Sequence, residues 1–98
     1  MRAVLWADEA LTDFERAIGF IAAENPVAAR SVADRIDEAI HHLASMATGR
    51  PGRVSNTFEK PVPRTPYIIA YALAEDRLTI LHVIHGRRNW PAEDWPES

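Results

Sequence analysis

Near the end of the chain His82, His85, Arg87 and Arg88 bring together side chains able to move a proton or grip an anion, and Glu59 and Arg64 precede them. A guanidinium holds phosphate through two parallel hydrogen bonds. A carboxylate base and an imidazole acid beside it meet the minimum for cleaving RNA through its own 2′-hydroxyl. On that reading Glu59 is the base, His85 the acid, and Arg64 and Arg87 the phosphate ligands. Spacing alone does not force these groups together. His82 and His85 are three apart in a run with strand composition, so they point to opposite faces and form no metal pair in a straight strand. The commoner role of a histidine in such a run is a half-buried, hydrogen-bonded side chain. His41 and His42, adjacent on a helical stretch, diverge by about 100° and read as helix surface.

A second chemistry is recognition without reaction. Arg53, Arg64, Arg87 and Arg88 could contact an anionic or protein target. Trp90 and Trp95, each followed by proline in a short polar tail, either fold back on the domain or anchor a partner. The chain has no cysteine, no Gly-rich phosphate loop, no Gly-x-Ser-x-Gly elbow and no His-Glu-x-x-His. No cofactor and no metal are expected.

The 98 residues suit one domain, 1–98, with little core to spare. The net charge of −3 argues against a general nucleic-acid binder, yet it is unevenly divided. Residues 1–49 carry 4 basic and 8 acidic side chains, residues 50–88 carry 7 basic and 3 acidic, and Glu93, Asp94 and Glu97 follow. The positive middle is a pointer to an anionic partner. No stretch approaches the apolar length needed to span a bilayer and the N-terminus has no signal-like run, so the expected location is the cytoplasm.

The elements that must hold these residues are legible from periodicity. Ala3–Trp6 reads as a short strand. Asp8 is the expected N-cap of a first helix whose apolar stripe is Leu11, Phe14, Ile18 and Ile21. Asn25-Pro26 ends that helix and starts another, with Asn25 as cap and Pro26 at the first helical position. The second stripe is Ala29, Val32, Ile36, Ile40 and Leu43, closed by Gly49. Residues 53–59 read as a moderate strand and Lys60–Arg64, rich in proline, as a loop or edge. Tyr67–Leu73 and Leu78–His85 then form a hairpin, with Leu78, Ile80, His82 and Ile84 sharing one face and Thr79, Leu81, Val83 and His85 the other. The expected class is α+β, in the order β-α-α-β-β-β, with a helical hairpin on one face of a small, mainly antiparallel sheet.

This ordered set resembles the RelE/ParE toxin superfamily, nearer its ParE-like, plasmid-stabilisation branch. The resemblance is carried by Leu5-Trp6, Glu24-Asn25-Pro26, Gly49-Arg50-Pro51-Gly52-Arg53-Val54, Pro66–Tyr71 and Ile80–Pro91, and covers almost the whole chain. It implies the toxin of a type II toxin–antitoxin system, held in a hetero-oligomer by a cognate antitoxin. ParE-like members poison DNA gyrase, whereas RelE-like members cleave mRNA on the ribosome with basic residues on the sheet and a catalytic residue near the C-terminus. Here Arg53 is followed by Ser55, Asn56 and Thr57 where a ribonuclease would present several basic groups, and no tyrosine follows the last strand. Thr57-Phe58-Glu59-Lys60 stands in place of the ParE-like Thr-Arg-Glu-Leu. The resemblance therefore favours a non-enzymatic gyrase inhibitor. A ribosome-dependent endoribonuclease using Glu59, Arg64, His85 and Arg87, or an inactive complex-forming member, are the alternatives.

Overall fold

A computed structural model of the chain describes residues 1–46, 50–51 and 56–86. Arg53, Arg87, Arg88, Trp90, Trp95 and the Gly49 stop signal lie outside the described residues. The elements are β1 (Ala3–Trp6), α1 (Asp8–Glu24), α2 (Pro26–Ser45), β2 (Arg50–Pro51), β3 (Phe58–Pro61), β4 (Tyr67–Leu73) and β5 (Arg77–His85). The expected order holds, with the two-residue β2 added. The strands form one sheet in the order β1-β5-β4-β3-β2, in which β1 runs parallel to β5 and the other pairs are antiparallel.

The helices start and stop for local reasons. Ala7, not Asp8, is the N-cap of α1, and it makes no side-chain cap bond. Its N–H donates to the Ile80 carbonyl at 2.9 Å, a rung of the ladder between β1 and β5. Ala7 is therefore still tied to the sheet when the helix begins, and Asp8 falls one place inside. There it and Glu9 oppose the positive end of the helix dipole. Asn25 alone joins the two helices: its N–H donates to Ile21 O at 2.8 Å, closing α1, and its Oδ1 accepts from Ala28 N at 3.0 Å, opening α2. Pro26 sits at the first position of α2, where no N–H is needed. The far end of α2 is tied to the start of the chain, since Arg2 N–H donates to Ala44 O at 2.9 Å.

The α2 helix buries Ala29, Ile36, Ala39, Ile40, Leu43 and Ala44, close to the expected stripe, and Ile36, Ala39, Ile40 and Leu43 join the core shared with the strands. On α1 the stripe is rotated. Ala10, Phe14, Ala17 and Ile21 meet the core, while Leu11 is 42% exposed. Counting large apolar residues missed the two alanines, which bring the helix close to the sheet. The core joins these side chains to Tyr67, Ile69 and Tyr71 of β4 and Leu78, Ile80 and Val83 of β5. Each large side chain so buried contributes about 1.5–3 kcal/mol.

The faces of β5 differ from a simple alternation. Ala70 pairs with His82 and Tyr71 with Ile80, which leaves Leu81 as the extra residue of a β-bulge. Leu78 and Ile80 face the helices before the bulge and Val83 faces them after it. Of the loop or edge expected for Lys60–Arg64, Lys60-Pro61 takes the edge: β3 runs Phe58–Pro61, β2 pairs with Phe58 and Glu59 only, and Asn56, with φ 66°, turns the chain just before it. Pro61 fits because Val62 N–H bonds Tyr67 O at 2.9 Å, which makes the adjacent Pro61–Ile68 pair one in which no N–H points at β4. Proline removes nothing from that side of the ladder.

Candidate functional site

The turn between β3 and β4 and the end of β5 meet at one end of the sheet, because Tyr67, the first residue of β4, pairs with His85, the last of β5. Val62-Pro63-Arg64-Thr65 is a tight turn closed by Thr65 N–H on Val62 O at 3.2 Å. Pro63 suits its second position and Arg64, at φ 61°, occupies the third, where a type II turn demands a positive φ and favours glycine. Thr65 fixes the exit: its hydroxyl donates to Val62 O at 3.0 Å and accepts from Tyr67 N at 3.1 Å. Arg35 of α2 reaches across and donates Nη1 to the Arg64 carbonyl at 3.1 Å.

Arg64, Tyr67, Ile68 and His85 line a hollow with Pro61, Thr65, Pro66 and Gly86. The His85 ring stands edge-on to Tyr67, centroids 5.5 Å apart at 78°. Gly86 N–H donates to Pro66 O at 2.6 Å, and a Cβ there would lie 3.0 Å from that oxygen and 3.2 Å from Ile68 Cδ1. A side chain there would press on the Pro66 carbonyl and Ile68, so the close approach favours glycine.

The structure thus places Arg64 and His85 on one hollow. Glu59 is elsewhere. It pairs with Ala70, which is offset by three residues from Tyr67 on β4, so it stands on the face opposite to Tyr67 and His85. Glu59 is only 4% exposed there. The acid–base pairing of Glu59 with His85 is therefore not assembled by the sheet.

His82 has a partner that spacing along the chain could not reveal. Its Nδ1 lies 2.5 Å from Asp13 Oδ2 on α1, and the same oxygen accepts Val83 N–H at 3.2 Å. A carboxylate accepts only, so the imidazole donates from Nδ1. Beyond Trp6 the strand β1 no longer covers β5. Asp13 supplies the acceptor along that uncovered edge, and His82 is a half-buried structural side chain. Arg35, its role also unread from sequence, lies with Glu38 and His42 on α2 opposite Lys60, Pro63 and Arg64 around a second depression. Among the described residues no group of three or more His, Cys, Asp or Glu side chains could hold a metal ion, and no helix is long and apolar enough to cross a membrane.

Comparison with known proteins follows the same outline. The family described as "ParE toxin of type II toxin-antitoxin system, parDE" matches residues 4–90. A Sinorhizobium fredii (strain NBRC 101917 / NGR234) protein named "Putative toxin Y4kP" is 37% identical over 89 residues, 90% of this chain and 92% of that protein. A solved structure of the chromosomal ParDE TA system from P. aeruginosa gives a TM-score of 0.77 at 20% identity, over 87% of this chain and 96% of that one. The YoeB dimer from Staphylococcus aureus gives 0.57 at 7% identity, over 83% and 92%. At those identities the structures speak for the fold. The family match, which runs from β1 past the end of β5, and the Sinorhizobium relative speak for descent: the chain belongs to the ParE toxin family of type II toxin–antitoxin systems.

Proposed function

We propose that this toxin acts by binding and inhibiting DNA gyrase, without bond-breaking chemistry of its own, and that a cognate antitoxin neutralises it in a hetero-oligomer. The observation that carries the first part is the separation of Glu59 and His85 onto opposite faces of the sheet. An acid and a base that do not face one substrate do not cleave it in concert. Arg53, Arg64, Arg87, Arg88, Trp90 and Trp95 then serve as contact residues for target or antitoxin.

The surface supports the second part. Phe20 and Val27, 78% and 80% exposed, flank the Asn25 joint, and Met46 is 62% exposed at the end of α2. Exposed side chains of this size offer a partner apolar anchors at both ends of α2. At the edge of the sheet β1 presents Ala3-Val4-Leu5-Trp6, without the proline or charge that protects an edge, whereas the opposite edge is the two-residue β2 with Pro51. An antitoxin segment that lies on the helical hairpin and adds a strand to β1 uses both features.

The ribonuclease reading keeps one observation, the shared hollow of Arg64 and His85. Pulse labelling after induction of the chain alone separates the two. Under the gyrase reading DNA synthesis stops first, with an SOS response. Arrest of protein synthesis first, with cleaved mRNA, would overturn it.

A further inference from the structure

The depression between α2 and the β3–β4 turn has Arg35, Glu38 and His42 on the helix side and Lys60, Pro63 and Arg64 on the other. Three lasting cations stand there against one carboxylate, in a chain whose net charge is −3. Their arrangement is built. Lys60 is half-buried and stands opposite Ile69, on the helix-facing side of β3. Arg35 holds the Arg64 carbonyl. Arg64 takes a left-handed conformation that disfavours any side chain, and strain of this kind persists where the surroundings fix it and gathers at binding sites.

We infer that this depression seats an acidic side chain, a Glu or Asp of the antitoxin segment, held by the guanidinium forks of Arg35 and Arg64 with Lys60 as a point charge. The inference rests on the antitoxin reading above and gives it a place and a chemistry. A peptide carboxylate fits better than nucleic acid. Glu38 lies in the depression, and Asp34 and Asp37 are exposed on the same helix, so a track of successive phosphates would run onto negative charge. A single carboxylate meets three cations against Glu38 alone and does not extend onto Asp34 and Asp37.

The test uses the complex of this chain with the full-length product of the adjacent antitoxin gene, its dissociation constant measured at low and high salt. Lys60→Met keeps the stem and removes the charge; Arg64→Gly removes a charge and relieves the turn. Each variant weakens the complex about tenfold at low salt, less at high salt. Arg64→Gly meanwhile raises the Tm of the chain by about 4 °C. Weaker binding by a more stable fold cannot be ascribed to unfolding. Unchanged affinity and salt dependence in both variants, while the parent binds its antitoxin, overturn the carboxylate seat and leave the antitoxin reading standing. A parent that forms no complex overturns both. Intact antitoxin affinity with lost binding of a labelled oligothymidylate overturns it in favour of nucleic acid.

Discussion

Asp13 accepts from two donors on β5, the His82 imidazole and the Val83 N–H, and so holds α1 against the strand edge that β1 leaves uncovered. Replacing it by alanine strands both donors, a loss of about 1–3 kcal/mol, while Asp13→Asn keeps an acceptor and recovers part of it. Urea unfolding checks this, and equal midpoints for Asp13→Ala and the parent would show that the clamp contributes nothing. Two glycines give opposite signs for the same added methyl. Gly19, inside α1, has nothing within 4 Å of its Cβ position, so Gly19→Ala stabilises by about 1 kcal/mol through helix propensity. Gly86 has a backbone oxygen at 3.0 Å, so Gly86→Ala pushes the end of β5 off Pro66 and destabilises by about 1–3 kcal/mol. Should both substitutions move stability the same way, the close approach at Gly86 is not what requires glycine.

At the scale of elements the joint between the helices is one residue, and Asn25 serves both ends of it. Asn25→Ala removes the α2 cap and lowers stability by about 1 kcal/mol, with Asn25→Gly losing only a few tenths; circular dichroism during urea unfolding ranks the three proteins, and an alanine variant as stable as the glycine one refutes the cap. That joint was legible in Asn25-Pro26 because capping and the missing proline N–H are local chemistry. So was the β4–β5 hairpin, whose runs are continuous in strand-forming residues. What was not legible depends on distant partners. The Leu81 bulge is a register event between two strands, and it moved Val83 and His85 to the face of Leu78 and Ile80 and took His82 and Ile84 off it. The N-cap shifted to Ala7 because Ile80, far along the chain, takes its N–H. Ala10 and Ala17 turned α1 because close approach to the sheet, not side-chain size, selects them. The candidate site divides in the same way. Arg64 and His85 meet through the Tyr67 register, Glu59 is parted from them by it, and Asp13 and Arg35 carry no mark in the sequence of what they touch.

For the molecule as a whole, the question is whether toxicity needs a proton donor at the end of β5. His85→Phe keeps an aromatic ring against Tyr67 and removes the imidazole, so the edge-on pair survives while acid chemistry does not. General acid–base catalysis contributes about 100- to 10,000-fold, so a ribonuclease relying on His85 would lose at least about 100-fold in cleavage. A gyrase inhibitor that works by occupying its target loses nothing of that kind. Growth arrest by His85→Phe at the parent's level of induction, with DNA synthesis still the first to fall, is the expected result. Glu59→Gln removes the base on the other face and is expected to leave arrest intact in the same assay. Arrest abolished in His85→Phe, with the fold intact by circular dichroism and antitoxin binding retained, would move this toxin from the binding class to the catalytic one, because one ring swap then separates holding the shape from doing the chemistry.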